Sequence, residues 1–263
     1  MLVCLALSVV LPSYNEARRL PATLDATLAY LQQHRPAPLD WELIVVDDGS
    51  TDDTAAAVTS LGLSAQLRLL RTPRNRGKGA ALAAGVLAAR GAHVLLMDAD
   101  GATPISALPR LEAARADVAV GARPSGGRPW RRELQARGFR LAARAALPAA
   151  GAPQDTQCGF KLLTRHAARE CFSRLHLQRW AYDVELLYVA LQLGLTVTSV
   201  PVPWADIPGS KIRWYTPLTM LVDVLRVAIL YRCGIWSVDD HSNLAHQPTS
   251  GGEDEASFVE IFI

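Results

Sequence analysis

The sequence predicts an α/β domain built on a mainly parallel sheet flanked by helices. Two observations carry this. Short apolar runs rich in Val, Ile and Leu recur along the first 120 residues, and segments of 10–15 residues with helical character separate them. Fully apolar strands alternating with crossover helices are the pattern of βαβ units, whose sheets are buried on both faces. A third observation concerns function: three of the predicted strands end in acidic or polar residues, and ligands of such sheets sit at the carboxyl ends of the strands.

The elements follow in order. Leu7–Leu11 reads as a buried strand, and Ala17–Gln33 as a helix. ELIVVDD is a strand, Thr51–Leu61 a helix and Gln66–Arg71 a strand. Lys78–Arg90 is an Ala-rich helix, HVLLMDAD a strand ending in acids and ADVAVGAR a further strand. From about residue 129 the pattern changes. Arg131–Leu147 is basic and helical, and residues 151–164 form a loop followed by a short strand. Trp180–Leu193 is a helix, Thr196–Pro203 a strand and 215–232 a final helix. Residues 237–263 combine Gly, Ser, Pro and acids without a period and read as a flexible acidic tail.

With 263 residues, half of them hydrophobic, the chain buries a sizeable core and is neither disordered nor fibrous. Its four cysteines are scattered, without disulfide or metal spacing, which suits a reducing compartment. Of 27 basic residues only Lys78, Lys161 and Lys211 are lysines. The net charge of +2 conceals a split. The segment 237–263 holds six acids and no Lys or Arg, so residues 1–236 carry 27 basic against 19 acidic residues, a net +8. A basic body points to an anionic partner: a phosphate-bearing ligand, a nucleic acid or a lipid headgroup. No known nucleic-acid module or basic-aromatic platform accompanies it.

The N-terminal apolar run of about 11 residues is too short to span a bilayer, which needs about 20, and lacks the features of a signal peptide. The segment 214–236 is apolar but interrupted by Asp223 and Arg226. Leu218, Leu221, Val222, Leu225 and Ile229 follow helical spacing, and Trp204, Trp214 and Trp236 flank the stretch. Two readings stand: an amphipathic helix lying in a membrane interface, or a helix packed on the domain's own core.

The strand ends supply the chemistry. Asp98 and Asp100, two apart in extended chain, point the same way. Two hard carboxylates make half of a Mg²⁺ or Mn²⁺ site that phosphate oxygens and water complete; the bland alternative is that one of them caps the helix after Pro104. Ser50-Thr51-Asp52-Asp53 reads as a capping box, which leaves Asp47 and Asp48 to accept hydrogen bonds from a base or ribose. Asn75-Arg76-Gly77-Lys78-Gly79 is neither a Walker A loop nor a GxGxxG loop. It is either a structural turn or a turn that brings the Lys78 cation to the strand ends. Asp155, Lys161, Asp183 and Glu185 stand in otherwise apolar surroundings. Asp183 and Glu185 either complement a helix dipole or line a cavity. Pro208-Gly209-Ser210-Lys211 offers a hydroxyl and an ammonium.

Together LPSYNE, VVDDGSTDDT, NRGKG and DADG resemble the family 2 glycosyltransferases of the GT-A (Rossmann-like) fold, over about residues 7–123. DTQCGFKLLTR, RWAYDVELLYVA and the W-x-x-IPGSK stretch extend the resemblance, towards the dolichyl-phosphate β-glucosyltransferases, to about residue 236. Ala102 in DADGAT separates the chain from the mannosyl relatives, which tend to have Gln there. Gln178-Arg179-Trp180 lacks the spacing of the processive QxxRW type.

The resemblance implies one domain over 1–236. Its nucleotide-binding half spans 7–123, its acceptor half 124–213 and an interfacial helix 214–236. It implies UDP-glucose as donor, dolichyl phosphate as acceptor, Mg²⁺ or Mn²⁺ as cofactor, and the cytosolic face of the endoplasmic reticulum membrane, serving protein N-glycosylation. Pro12, Tyr14, Glu16, Asp47 and Asp48 would hold the uridine, and Asp98 and Asp100 the metal. Arg123 would stand near the sugar or phosphates, and Lys161 and Lys211 would meet the acceptor phosphate or the leaving diphosphate. The resemblance also implies an N-terminal membrane helix; since the sequence starts almost at its first strand, either the sequence is truncated or the interfacial helix suffices. Alternatives are GDP-mannose or another polyprenyl phosphate as substrates, a nucleotidyltransferase, and a non-catalytic nucleotide-binding module. Were the acceptor a hydroxyl, Asp155, Asp183 or Glu185 would be the candidate base.

Overall fold

A computed structural model describes residues 5–37, 40–62, 64–124, 138, 147, 153, 155–207, 216–239 and 259–261. The helix expected at 131–147, Lys211 and its GSK turn, and residues 240–258 of the tail thus fall wholly or almost wholly outside the described residues.

The first half follows the predicted alternation. Strands β1 (Leu7–Ser13), β2 (Trp41–Asp47), β3 (Leu67–Arg71), β4 (His93–Leu96) and β5 (Val118–Ala122) alternate with helices. These are α1 (Leu20–His34), α2 (Thr54–Thr59), α3 (Lys78–Ala88) and α4 (Leu108–Ala113), the last preceded by a 3₁₀ turn at Ile105–Ala107. In the second half come β6 (Lys161–Thr164), α5 (Arg165–Phe172), α6 (Tyr182–Gln192), β7 (Val197–Pro201), α7 (Thr216–Arg232) and β8 (Val259–Ile261).

The sheet order is β7-β5-β6-β4-β1-β2-β3-β8. Strand β1 pairs in parallel with both β2 and β4, β2 with β3, and β5 with β7. The chain therefore winds outward from β1 to β3 and then returns to the other side of β1. That reversal opens a crevice beyond the carboxyl ends of β1 and β4, where open α/β sheets bind ligands.

The sheet departs from expectation at two places. Strand β6 runs antiparallel between β4 and β5, with Leu96 opposite Lys161 and Val120 opposite Lys161 on the other side. Its amino end thus joins the carboxyl ends of its neighbours, which delivers Lys161 to the crevice side. Second, Val259–Ile261, in the segment read as a flexible tail, pairs antiparallel with Leu69–Arg71 of β3.

Side-chain alternation divides the core into two layers. Val10, Ile44 and Val46 face α3, α5 and α6, against Leu82, Val86, Phe172 and Leu186. Val9, Leu11, Leu43 and Val45 face α1 and the 3₁₀ turn, against Leu20, Leu24, Leu31 and Ile105. Both faces of the central strands are covered, which is why Val9–Leu11 and Leu43–Val46 are apolar runs rather than alternating.

Helix α7 has two apolar sides. Met220, Val224, Val227, Ala228 and Tyr231 pack on the domain, while Leu218, Leu221, Val222, Leu225 and Ile229 are exposed. The five residues whose spacing suggested a helix thus form its outer face. One side packs on the core, as the second reading expected, and the other presents an apolar stripe. No helix among the described residues is long and apolar enough to cross a membrane.

Candidate active site

The loops after β1 and β2 are tied together before any ligand enters. Asn15 adopts a positive φ of 52°, its N–H donates to Ser50 Oγ at 2.9 Å, and Thr51 N–H donates to Asn15 Oδ1 at 2.8 Å. Glu16 N–H donates to Thr54 Oγ1 at 2.8 Å, and Ala17 N–H to Asp52 Oδ2 at 3.2 Å. Ser50 is spent on this cross-link, so the capping box expected at Ser50–Asp53 does not form. Helix α2 begins at Thr54 instead, with no side-chain cap on Asp53.

The two acids that end β2 are buried and do different things. Asp47 accepts the Ser50 amide through Oδ1 at 2.9 Å. Its Oδ2 lies 3.0 Å from Arg71 Nε but makes no aligned hydrogen bond. Asp48 accepts from Thr72 Oγ1 at 3.2 Å and from the amides of Arg76 at 2.9 Å and Gly77 at 2.7 Å. Burial pushes its carboxyl up, against those three hydrogen bonds. Asp48 therefore shapes the loop that opens α3, a role not anticipated for a residue assigned to the uridine. Pro12 lies at the carboxyl end of β1, Tyr14 in the loop after it is partly exposed, and Glu16 is held by Arg19 through two bonds of 2.6 and 2.7 Å.

The Asn75–Gly79 loop unites the two readings offered for it. Its backbone is a structural turn: Gly77 sits at φ 108°, and a Cβ there would meet Gln178 O at 2.7 Å. The Gly79 and Ala80 amides donate to the carbonyls of Arg179 and Gln178 at 3.3 and 3.0 Å. The amides of Arg76, Gly77 and Gly79 are engaged within the protein, and the turn delivers the Lys78 side chain, whose Nζ lies 2.5 Å from Asp98 Oδ1.

Strand β4 ends at Leu96, so Asp98 follows the strand and Asp100 lies in the turn after it, and the two do not share an extended strand. The helix-cap reading fails as well. Pro104 precedes the 3₁₀ turn, which no side chain caps, and Asp100 Oδ1 instead accepts the Ala102 amide at 3.0 Å. Gly159 packs directly on Asp98: an added Cβ would stand 2.1 Å from Asp98 Oδ2. Burial opposes ionisation of Asp98, but the charges of Lys78, Lys161 and Arg123 hold its carboxyl below the ordinary range. Asp100 is pushed up, first by burial and then by the charge of Asp98.

Behind this pair stand two ion pairs. Arg123 grips Asp155 in a bidentate fork, with Nε and Nη2 at 2.6 and 2.7 Å, and lies 5.8 Å from the Trp204 ring centre. Lys161 is fully buried, bonded to Asp183 and to the carbonyl of Cys158 at 2.5 Å. Lys161 thus faces inward, which corrects its assignment to an acceptor phosphate: its charge reaches Asp98 only through space. Glu185 is also fully buried and accepts from the His176 and Leu177 amides and from Tyr231 Oη. That saturation leaves it no role as a general base. Asp155 and Asp183 are likewise engaged by cations.

Asp98, Thr103, Arg123, Phe160 and Trp204 line a small cleft. Sequence reasoning missed Gly159 and Arg19, whose Nη1 lies 3.7 Å from Asp100 Oδ2, and took Trp204 for a membrane flank. The signal for Arg19 was its place three residues after Glu16.

Among the described residues no three acidic, histidine or cysteine side chains converge as a metal cage. Asp98 and Asp100 nevertheless suit Mg²⁺ or Mn²⁺. They are hard oxygen donors, and Asp100, pushed up by burial and then by the charge of Asp98, is a carboxylate whose ionised form a divalent ion would favour.

The family model described as Glycosyl transferase family 2 matches residues 8–172. The chain is 40% identical over 261 residues to a dolichyl-phosphate beta-glucosyltransferase of Mus musculus, covering 88% of this chain and 77% of that one. It is 39% identical over 254 residues to one of Homo sapiens, covering 89% and 78%. Among solved structures it resembles glucosyl-3-phosphoglycerate synthase from Mycobacterium tuberculosis in complex with Mn²⁺ and UDP-glucose. The TM-score is 0.64 at 22% identity, covering 87% of this chain and 79% of that one. Mannosyl-3-phosphoglycerate synthase from Rubrobacter xylanophilus gives 0.65 at 24%, covering 89% and 76%. These two likenesses establish the shared GT-A fold.

Proposed function

This chain belongs to glycosyl transferase family 2, and from that premise we propose that it moves glucose from UDP-glucose to dolichyl phosphate. The products are dolichyl β-D-glucosyl phosphate and UDP. The observation that carries the reading is the identity of about 40% to relatives of that activity along nearly nine-tenths of the chain.

The site's chemistry is consistent with it. A phosphate monoester is largely dianionic at neutral pH, with a second pKa of about 6. It is already a nucleophile, so the transfer needs no strong general base, and the acids next to the cleft are indeed engaged by cations or amides. What remains is alignment of donor and acceptor and stabilisation of charge on the departing diphosphate. Asp98 and Asp100 would hold Mg²⁺ or Mn²⁺, which supplies positive charge to the diphosphate. Lys78 and Arg123 add fixed cations at the same crevice. Arg71, Asp47 and the tied loops after β1 and β2 form the floor for the uridine. Lys211 keeps its proposed part at the acceptor phosphate.

The acceptor is a lipid, and α7 offers a surface for it. Its stripe of Leu218, Leu221, Val222, Leu225 and Ile229 is exposed, and the body is basic. An apolar helix face on a cationic domain suits binding to an anionic bilayer surface, on this reading the cytosolic side of the endoplasmic reticulum. Replacing Leu218, Leu221, Leu225 and Ile229 by Ser releases the protein from anionic liposomes in a flotation assay. Thermal stability changes little, because these side chains are not packed in the core. Binding equal to the parent's refutes the membrane role of α7. Donor choice tests the sugar assignment: UDP-glucose is consumed in preference to GDP-mannose, and turnover of GDP-mannose alone overturns it.

A further inference from the structure

Glu185 takes no part in the proposed transfer, yet it lies where three segments meet. It belongs to α6 and is fully buried. Its carboxylate accepts the His176 amide at 3.0 Å, the Leu177 amide at 2.7 Å and Tyr231 Oη at 3.0 Å, and His176 Nδ1 lies 2.8 Å away. The His176 ring also stacks on Trp236, with centroids 4.2 Å apart and planes within 4°. Tyr231 belongs to α7 and Trp236 follows it closely, so one carboxylate ties the apolar-striped helix to the 176–180 loop.

That loop continues into the site. Its carbonyls at Gln178 and Arg179 accept the amides of Ala80 and Gly79 in the first turn of α3. The approach is backbone on backbone: a Cβ on Gly79 would meet Leu177 O at 2.8 Å. Lys78, next in the chain, places its ammonium on Asp98 and lies 6.0 Å from the Trp180 ring centre. The links are hydrogen bonds of 2.7–3.3 Å, the side chains among them up to Lys78 being the buried Glu185 and Tyr231.

We propose that Glu185 is a positioning residue that sets the 176–180 loop, and through it the Lys78–Asp98 pair, to the position of helix α7. Helix α7 is the element proposed to meet the lipid surface, so the catalytic cation pair and the membrane-facing helix share one buried anchor. The kinetic consequence rests on the transfer reading; the structural one does not.

The test uses Tyr231→Phe, which removes one hydroxyl and keeps the ring packing, beside Glu185→Gln. Amide hydrogen exchange over residues 77–82 accelerates by about 10-fold in Tyr231→Phe, the scale of one lost hydrogen bond to a charged group. Exchange in β2, 41–47, stays at the parental rate. Unchanged protection at 77–82 in both variants overturns the proposal, and so does equal acceleration in β2, which signifies general destabilisation.

In the transfer assay Tyr231→Phe lowers kcat about 10-fold, with KM for UDP-glucose within about 2-fold. In a Lys78→Gln background the added loss from Tyr231→Phe shrinks below about 2-fold, because both changes act on one group. Losses that multiply in full overturn the route through Lys78. A parent chain that transfers no glucose defeats the functional reading, while hydrogen exchange still decides the coupling.

Discussion

Asp98→Asn lowers glucosyl transfer by about 10³-fold, the scale on which removal of a preorganised charge from a transition-state site is felt. The reason is concentrated in one side chain. Asp98 is the carboxylate on which Lys78 closes at 2.5 Å, against which Gly159 packs without room for a Cβ, and whose ionised form Lys78, Lys161 and Arg123 together stabilise. Asparagine keeps the shape but removes the charge that would hold a divalent ion, and it leaves Lys78 without its counter-charge. The fold survives, since the side chain is half-exposed and the strand before it is unaltered. Steady-state rates with UDP-glucose and dolichyl phosphate, beside a thermal unfolding curve, measure both parts. A loss under about 10-fold in a folded protein contradicts the assignment.

Lys161→Met has the largest expected effect on stability. Lys161 and Asp183 are a buried pair, and removing the cation strands the carboxylate in a nearly dry interior. Breaking such a pair costs about 3–5 kcal/mol. The double variant Lys161→Met with Asp183→Leu recovers much of it, because no uncompensated charge remains. Denaturant midpoints of the three proteins give the answer, and a single variant within about 1 kcal/mol of the parent refutes the account. Lys161→Arg also fails, through volume: a guanidinium fork has no space where the ammonium is sealed between Asp183 and the Cys158 carbonyl. The scarcity of lysine in this chain therefore has different causes at different sites, a cation delivered to Asp98 at Lys78 and a closed pocket at Lys161.

Much of the fold was legible because the middle strands are covered on both faces, so each carries an apolar run, and helices separate β1 to β5. The short strand before residue 164 was legible, but its antiparallel place between β4 and β5 was not, because four residues opening on a lysine carry no signal of their sheet neighbours. Helix α5 was missed for a related reason: among Arg165–Phe172 only Ala167, Ala168, Cys171 and Phe172 are buried, a narrow apolar face in a polar segment. In α7 both sides are apolar, so periodicity located the helix without telling which side the domain keeps.

The site divides in the same way. The acids at the strand ends were visible, because local sequence shows where each strand stops. The ion pairs were not: Lys78 with Asp98, Arg123 with Asp155 and Lys161 with Asp183 are joined by topology across 20 or more residues of chain. Knowing the partners changed roles. Asp48 became the clamp of a loop, Lys161 a buried counter-ion and Glu185 an anchor rather than a base.

In the proposed transfer a lipid phosphate attacks the donor directly, with no covalent glucosyl-enzyme between them. The most direct measurement is the anomeric configuration of the product formed from UDP-glucose, dolichyl phosphate and Mn²⁺ or Mg²⁺, read by nuclear magnetic resonance of the isolated glycolipid. Single displacement on an α-linked donor predicts a β-glucosyl phosphate and one equivalent of UDP. An α-linked product, or release of pyrophosphate in place of UDP, contradicts it.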